Sequence, residues 1–306
     1  MGYVLQTHRL TKRYGSRTVV ENINLNIRRG DIYGFLGQNG AGKTTTLRMI
    51  MGLIRPTAGE IDWFGASGTA GRNETMARIG GIIEYPGFYL NLSAAENLEV
   101  HRRLMGMGNR EIIDEVLSSV GLLDARNQRV KEYSLGMKQR LGIARSLLHH
   151  PEFLVLDEPT NGLDPAGIKE VRQLFLDLAR QRGITFLVSS HLLGEIEQLA
   201  TRVGIVHGGR LLEEVDYEAL QRKSRRYLEI RVGDDKRAAY ILEQRLGVTD
   251  YHVAAPGVLR LYELLDEPSR VNGALTGEGI AVEEIKRAGD SLEDYFLKLT
   301  GGDPLV

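Results

Sequence analysis

Gly37-Gln38-Asn39-Gly40-Ala41-Gly42-Lys43-Thr44-Thr45 is the stretch of this 306-residue chain whose reading decides the fold. Its spacing of Gly, four residues, Gly, Lys and Thr makes a phosphate-binding loop. Glycine reaches backbone conformations closed to other residues, so successive amide N–H groups can turn inward around an anion. Lys43 is placed to set its ammonium on the β- and γ-phosphates, and Thr44 to offer its hydroxyl to Mg²⁺. The flanks supply the setting. Asp31 to Leu36 reads as a strand entering the loop. Thr45 to Leu53 reads as a helix leaving it, with its positive N-terminal end aimed at the phosphates. The chain is therefore expected to bind a nucleoside triphosphate, with Gly37, Asn39, Gly40, Gly42, Lys43, Thr44 and Thr45 as the cradle.

Composition narrows the class. Lys plus Arg (39) nearly balance Asp plus Glu (40), which gives no support for a nucleic-acid partner. Cysteine is absent, which excludes disulfides, cysteine-zinc sites and thiol catalysis. No run approaches the ~18 apolar residues that span a bilayer, and Gln6 to Arg9 interrupt any signal-peptide core. The expectation is a soluble, cytoplasmic product that reaches a membrane only through a partner.

Outward from the loop, Tyr3–Leu10 and Arg17–Ile27 read as strands, and Glu60–Phe64 as a short one carrying Trp63 in a packing role. Ile79–Ile83 is another apolar strand, and Ser93–Leu148 turns helical. Phe153–Leu156 and Phe186–Ser189 are continuous apolar runs, as in strands buried on both faces, joined through the helix Pro165–Gln181. This alternation predicts a parallel sheet flanked by helices, with a helical insertion at about residues 88–150. The ATPase domain is expected over 1–215 and an accessory α+β domain over 216–306. The latter opens on the basic run Arg222-Lys223-Ser224-Arg225-Arg226, read as a solvated linker. Its βαββαβ order suggests a small ferredoxin-like domain, closed by an amphipathic helix that starts at a Ser291–Asp294 capping box.

Four further motifs accompany the loop. Phe153-Leu154-Val155-Leu156-Asp157-Glu158 is an apolar strand delivering two carboxylates, one suited to Mg²⁺ and one to orienting a water. Tyr133-Ser134-Leu135-Gly136-Met137-Lys138-Gln139-Arg140 opens a helix, Asn161-Gly162-Leu163-Asp164 follows the carboxylates, and Ser189-Ser190-His191 follows the last buried strand.

In this order the motifs resemble those of the nucleotide-binding subunit of an ATP-binding cassette (ABC) transporter, over roughly residues 3 to 215. The resemblance implies an α/β P-loop NTPase with a mainly parallel sheet and an N-terminal antiparallel β subdomain. It implies that Tyr14 stacks on adenine and that Ser134 and Gly136 contact the γ-phosphate held by the opposite subunit. It makes Asp157 the magnesium-associated carboxylate, Glu158 the catalytic base, Asp164 the loop joining two sites in a dimer, and His191 the residue that pins the γ-phosphate. The implied partners are ATP with Mg²⁺, a second copy of the subunit, and a transmembrane permease that holds the subunit at the inner face of the membrane.

Two departures stand out. The family's usual Leu-Ser-Gly-Gly-Gln signature keeps Ser134 and Gly136 here, but Leu135 and Met137 replace a Gly and the Gln. The position after Ile82-Ile83, usually a Gln that senses magnesium and the membrane partner, is Glu84, which sets this carboxylate with Thr44 and Asp157 among the expected magnesium-site residues. With Tyr85-Pro86-Gly87-Phe88-Tyr89 and Ser291 to Phe296, that Glu resembles the bacitracin- and lantibiotic-type branch of bacterial exporters. The expected function is ATP hydrolysis that powers export of, or resistance to, an antimicrobial peptide or drug. A soluble ABC ATPase acting on ribosomes or DNA is the rival, disfavoured by a single phosphate loop and no sustained heptads. A small-molecule kinase would need neither the signature segment nor His191. A regulatory role for residues 216–306 stays compatible with the leading reading.

Overall fold

A computed structural model describes residues 2–67, 72–223, 226–289 and 292–300. Two compact units divide between Glu218 and Ala219.

In the first unit, β1 (Tyr3–Tyr14), β2 (Arg17–Ile23) and β3 (Asn26–Arg28) lead to β4 (Ile32–Leu36) and α1 (Lys43–Ile50). Then come β5 (Ala58–Trp63), β6 (Ala66–Ser67), α2 (Arg72–Met76) and β7 (Ile79–Ile82). The helices α3 (Ala94–Leu104), α4 (Ile112–Ser119) and α5 (Leu135–Leu147) follow, then β8 (Phe153–Asp157), α6 (Pro165–Arg182), β9 (Thr185–Ser190) and α7 (Leu193–Glu197). The strands β10 (Arg202–His207) and β11 (Arg210–Asp216) precede α8 (Tyr217–Lys223).

Two sheets organise these elements. The N-terminal strands form an antiparallel sheet in the order β2-β1-β5-β6, with β3 also paired to β1. The expected single strand Arg17–Ile27 is broken in two here. Thr7 is the physical reason, because its hydroxyl donates to Ile23 O at 2.9 Å and accepts from Leu25 N at 2.8 Å. A side chain thus replaces part of the ladder where β2 gives way to β3. Trp63 packs as expected: it is buried and its indole N–H donates to Ile50 O at 3.2 Å, fastening β5 to the end of α1.

The second sheet runs β11-β10-β4-β9-β8-β7, parallel from β10 to β7 and antiparallel at β11. Every residue of β4, β8 and β9 is buried, the pattern of central strands covered on both faces. Phe175 of α6 meets Phe186 of β9 with ring centroids 5.3 Å apart, a contact worth about 1 kcal/mol beyond its area. In an open parallel sheet the loops beyond the C-terminal strand ends converge, which is where such folds place ligands. Here those loops follow β4, β8 and β9.

The helical stretch between β7 and β8 is punctuated by caps. Ser93 and Glu96 form a reciprocal capping box at the start of α3, with hydrogen bonds of 2.7 and 3.2 Å; such a cap contributes about 1 kcal/mol. Ser134 caps α5 by accepting from Met137 N at 3.2 Å.

The second unit holds β12 (Arg226–Val232), α9 (Asp235–Leu246), β13 (Tyr251–Ala255), β14 (Val258–Leu261), α10 (Pro268–Gly277) and β15 (Val282–Gly289), with α11 (Leu292–Leu299) after them. Its antiparallel sheet runs β13-β14-β12-β15, the ferredoxin-like order expected from the βαββαβ pattern. Leu228, Ile230, Leu259 and Leu261 of the sheet pack in one core with Ala238, Leu242, Val271 and Leu275 of the helices. Ser224 and Arg225 of the basic run, and the Ser291 cap, lie outside the described residues.

Candidate functional site

The helix after β4 begins at Lys43, two residues earlier than its sequence suggests, because Gly42 serves as its N-cap at φ 100°. Gly42 offers no side chain to cap the first-turn N–H groups, so those donors remain for an anion. Lys43 is buried at 5% exposure, with its ammonium donating to Gly37 O at 2.7 Å and Gln38 O at 3.1 Å. A buried ammonium without such acceptors would be costly. Across the loop, Gly37 N donates to Ser190 O at 3.4 Å, so the ends of β4 and β9 meet.

The two carboxylates arrive on β8. Asp157 is buried, and Ser189 Oγ on β9 donates to it at 2.6 Å. The same Ser189 oxygen accepts from Glu158 N at 2.9 Å. Glu158 takes a left-handed backbone conformation at φ 45°, a non-glycine geometry that costs on the order of 1 kcal/mol and persists only where neighbours enforce it. Its Oε1 lies 3.2 Å from Lys43 Nζ, and its Oε2 2.9 Å from His191 Nδ1. A carboxylate only accepts, so His191 Nδ1 carries the proton of that contact. Thus Lys43, Glu158 and His191, drawn from three loops, converge. An ammonium able to meet a phosphoryl group sits beside a carboxylate able to polarise water.

Residues 20–161 match the family model described as ABC transporter. The bacitracin transport ATP-binding protein BcrA of Bacillus licheniformis is 51% identical to this chain over 302 residues, 99% of each. The chain belongs to the ABC transporter family. It stands in that family's bacitracin and lantibiotic branch and is an ATPase. BcrA of Enterococcus faecalis is 44% identical, over 99% of this chain and 98% of its own. The lantibiotic transport ATP-binding protein SrtF of Streptococcus pyogenes is 42% identical, over 70% of this chain and 92% of its own. A solved dimeric ATP-binding cassette in a post-hydrolysis state bound to ADP and Pi matches with a TM-score of 0.61 and 26% identity, covering 70% of this chain and 98% of that one.

Within this ABC subunit the remaining expected site residues sit apart from that convergence. Tyr14 ends β1, half exposed, with Lys12 Nζ 5.1 Å from its ring centroid. Ser134 and Gly136 open α5, and Asp164 caps α6 by accepting from Gly167 N at 2.9 Å. These two segments are neighbours: a Cβ at Gly136 would lie 3.9 Å from Leu163, and one at Gly162 3.2 Å from Leu135. Glu84 is exposed, at φ 65°, and ion-paired with Arg48 of α1. Ser189 and Arg48 escaped sequence reasoning as partners. Ser189 gives a faint signal, a polar residue ending a wholly apolar strand; Arg48 gives none.

Proposed function

We propose that this subunit hydrolyses ATP to power a separate membrane permease that exports or clears an antimicrobial peptide of the bacitracin or lantibiotic kind. The observation that carries the catalytic part is the Glu158 carboxylate held between Lys43 and His191 at 3.2 and 2.9 Å. The substrate class follows from the transport named for the relatives.

In this reading Tyr14 stacks on adenine, Gly37 to Thr45 wrap the phosphates, and Ser134 and Gly136 of a second copy close over the γ-phosphate. Two copies on a two-fold axis complete two sites at once, an isologous arrangement. Lys43 meets the β- and γ-phosphates, Glu158 takes the proton of the attacking water, His191 pins the γ-phosphate, and Asp164 joins the two sites. Catalysis is then mostly positioning and charge stabilisation.

The chemistry of the donors suits Mg²⁺. The Thr44 hydroxyl and Asp157 are hard oxygen ligands. Held by Thr44 and Asp157, the ion would supply positive charge against that developing on the phosphates.

Among the described residues, no helix is long and apolar enough to cross a membrane. The permease would dock on Tyr85 to Leu90, where Tyr85 and Tyr89 are 73% and 63% exposed. Arg145 fastens that segment to α5, donating to Gly87 O at 2.8 Å and lying over Phe88. Since Ser134 caps α5, docking and nucleotide closure would share one helix. Glu84, at the head of the segment, tunes this coupling rather than nucleotide affinity.

The test is Glu158→Gln. It should keep ATP binding, lose turnover and trap a closed dimer on size-exclusion chromatography; retained turnover rejects Glu158 as the base.

A further inference from the structure

Glu195 lies four residues beyond His191, on α7, and accepts a hydrogen bond from the Thr160 hydroxyl. Its other oxygen, Oε1, is buried with no hydrogen-bond partner among the described residues. A half-satisfied buried carboxylate is expensive, so this one calls for an explanation beyond packing. Pro159, Thr160 and Ser190 line a small cavity together with Glu195, so the carboxylate sits between the chain leaving β8 and the chain leaving β9.

Thr160 occupies the middle of a tightly turned connection. Asn161 N donates to Glu158 O at 3.1 Å, Leu163 N donates to Thr160 O at 3.1 Å, and Asp164 then caps α6. The segment therefore runs from Glu158 to Asp164 in two turns with Thr160 shared between them. Three other bonds already tie the β8 and β9 ends: Ser189 to Asp157, Glu158 N to Ser189, and His191 to Glu158. The Thr160–Glu195 bond is a fourth tie beyond them. It lies two residues from Glu158, whose left-handed conformation at φ 45° is of the kind that persists only where neighbours enforce it. Ser189 accepts from the backbone N–H of Glu158 itself; Glu195 accepts from the Thr160 side chain two residues on.

We propose that Glu195, acting through Thr160, is a positioning residue that holds the Glu158–Asp164 segment in register with His191. This rests on the reading of Glu158 as the base. A misplacement of the base by even 1 Å can cost up to about a hundredfold in rate.

The test is steady-state ATP hydrolysis by the full chain carrying Thr160→Val, Thr160→Ser, Glu195→Leu or Glu195→Gln, with thermal melts alongside. Thr160→Val is nearly isosteric and removes only the donor. It and Glu195→Leu should each lower kcat about tenfold, with KM for ATP within about twofold of wild type. Thr160→Ser and Glu195→Gln keep a donor and an acceptor and should restore most of the rate. The Thr160→Val/Glu195→Leu double variant should be no slower than either single one. Wild-type kcat in Thr160→Val, or losses that multiply in the double variant, overturn the proposal. Glu158→Gln, run in parallel, separates the two claims. If it is dead while Thr160→Val is fully active, only the role of Glu195 fails; if it turns over normally, both fail.

Discussion

Ser189 donates its hydroxyl proton to Asp157 at 2.6 Å, across the last register pair of the parallel strands β8 and β9. One buried oxygen thereby orients the acid assigned to magnesium and, through Glu158 N at 2.9 Å, the base beside it. Ser189→Ala leaves a buried carboxylate oxygen and a backbone N–H without that partner. Stability should fall by about 1–3 kcal/mol in urea melts, and ATP turnover should fall with it. An unchanged midpoint would show that the hydroxyl contributes nothing.

Gly37 and Gly40 answer to different constraints. A Cβ at Gly37 would sit 2.4 Å from Val206 O, a backbone atom of β10 that cannot move aside cheaply, whereas Gly40 has open space but φ +82°. Gly37→Ala should abolish nucleotide binding through displacement of the loop. Gly40→Ala should cost only the left-handed penalty of about 1–2 kcal/mol and keep weakened binding. Nucleotide titration by fluorescence ranks the two; the reverse order would refute the steric reading.

Asp164 combines a helix cap with an expected place at the subunit interface. Asparagine caps as well as aspartate, so Asp164→Asn should retain thermal stability while Asp164→Ala loses about 1 kcal/mol. If Asp164→Asn also keeps full ATPase activity in the assembled dimer, the carboxylate has no role there beyond capping.

Part of the acid sensitivity should lie at Glu152. Arg78, chiefly, and Arg29 hydrogen-bond its two oxygens at 2.6 Å each and hold its pKa down to about 2, against the opposing effect of burial. The folded value lies below the unfolded value of 4.5, so the stabilisation is complete above that value and is lost as pH falls toward about 2. Glu152→Gln should therefore melt lower than wild type at pH 7, with the gap closing between pH 4.5 and 2. A gap independent of pH would contradict this assignment.

Arg202 is buried at 8% exposure, donates to Asn26 O at 2.6 Å and lies 3.5 Å from Glu214. Glu214 in turn accepts from the buried Tyr33 hydroxyl at 2.9 Å, and burial first, then that carboxylate, pushes the Tyr33 pKa well up. Arg202→Met removes the cation that faces Asp216 at 2.8 Å and Glu214 at 3.5 Å and should cost about 3 kcal/mol; Arg202→Met with Glu214→Gln should recover part of it. A neutral Arg202→Met would show that the network is dispensable.

Local chemistry made much of the fold readable. Apolar runs announced Phe153–Leu156 and Phe186–Ser189 because strands buried on both faces cannot alternate. The phosphate loop announced itself because few residue types tolerate its backbone. The split at Ile23–Leu25 was not readable, since it depends on the Thr7 hydroxyl arriving from a strand sixteen residues away. The strands β10 and β11 escaped for a related reason: Gly204, Gly208 and Gly209 obscure their periodicity, and pairing with β4 defines them.

The sequence by itself determined which groups the chain could bring to a nucleotide: a glycine loop with Lys43, two acids at a strand end, a histidine after another strand. Residue type and spacing suffice for that. Only the tertiary structure decided who touches whom. It set Glu158 between Lys43 and His191, gave Asp157 to Ser189, turned Glu84 toward Arg48 and linked Thr160 to Glu195. Each of those contacts joins segments distant in sequence and depends on strand order and register, which local periodicity does not encode.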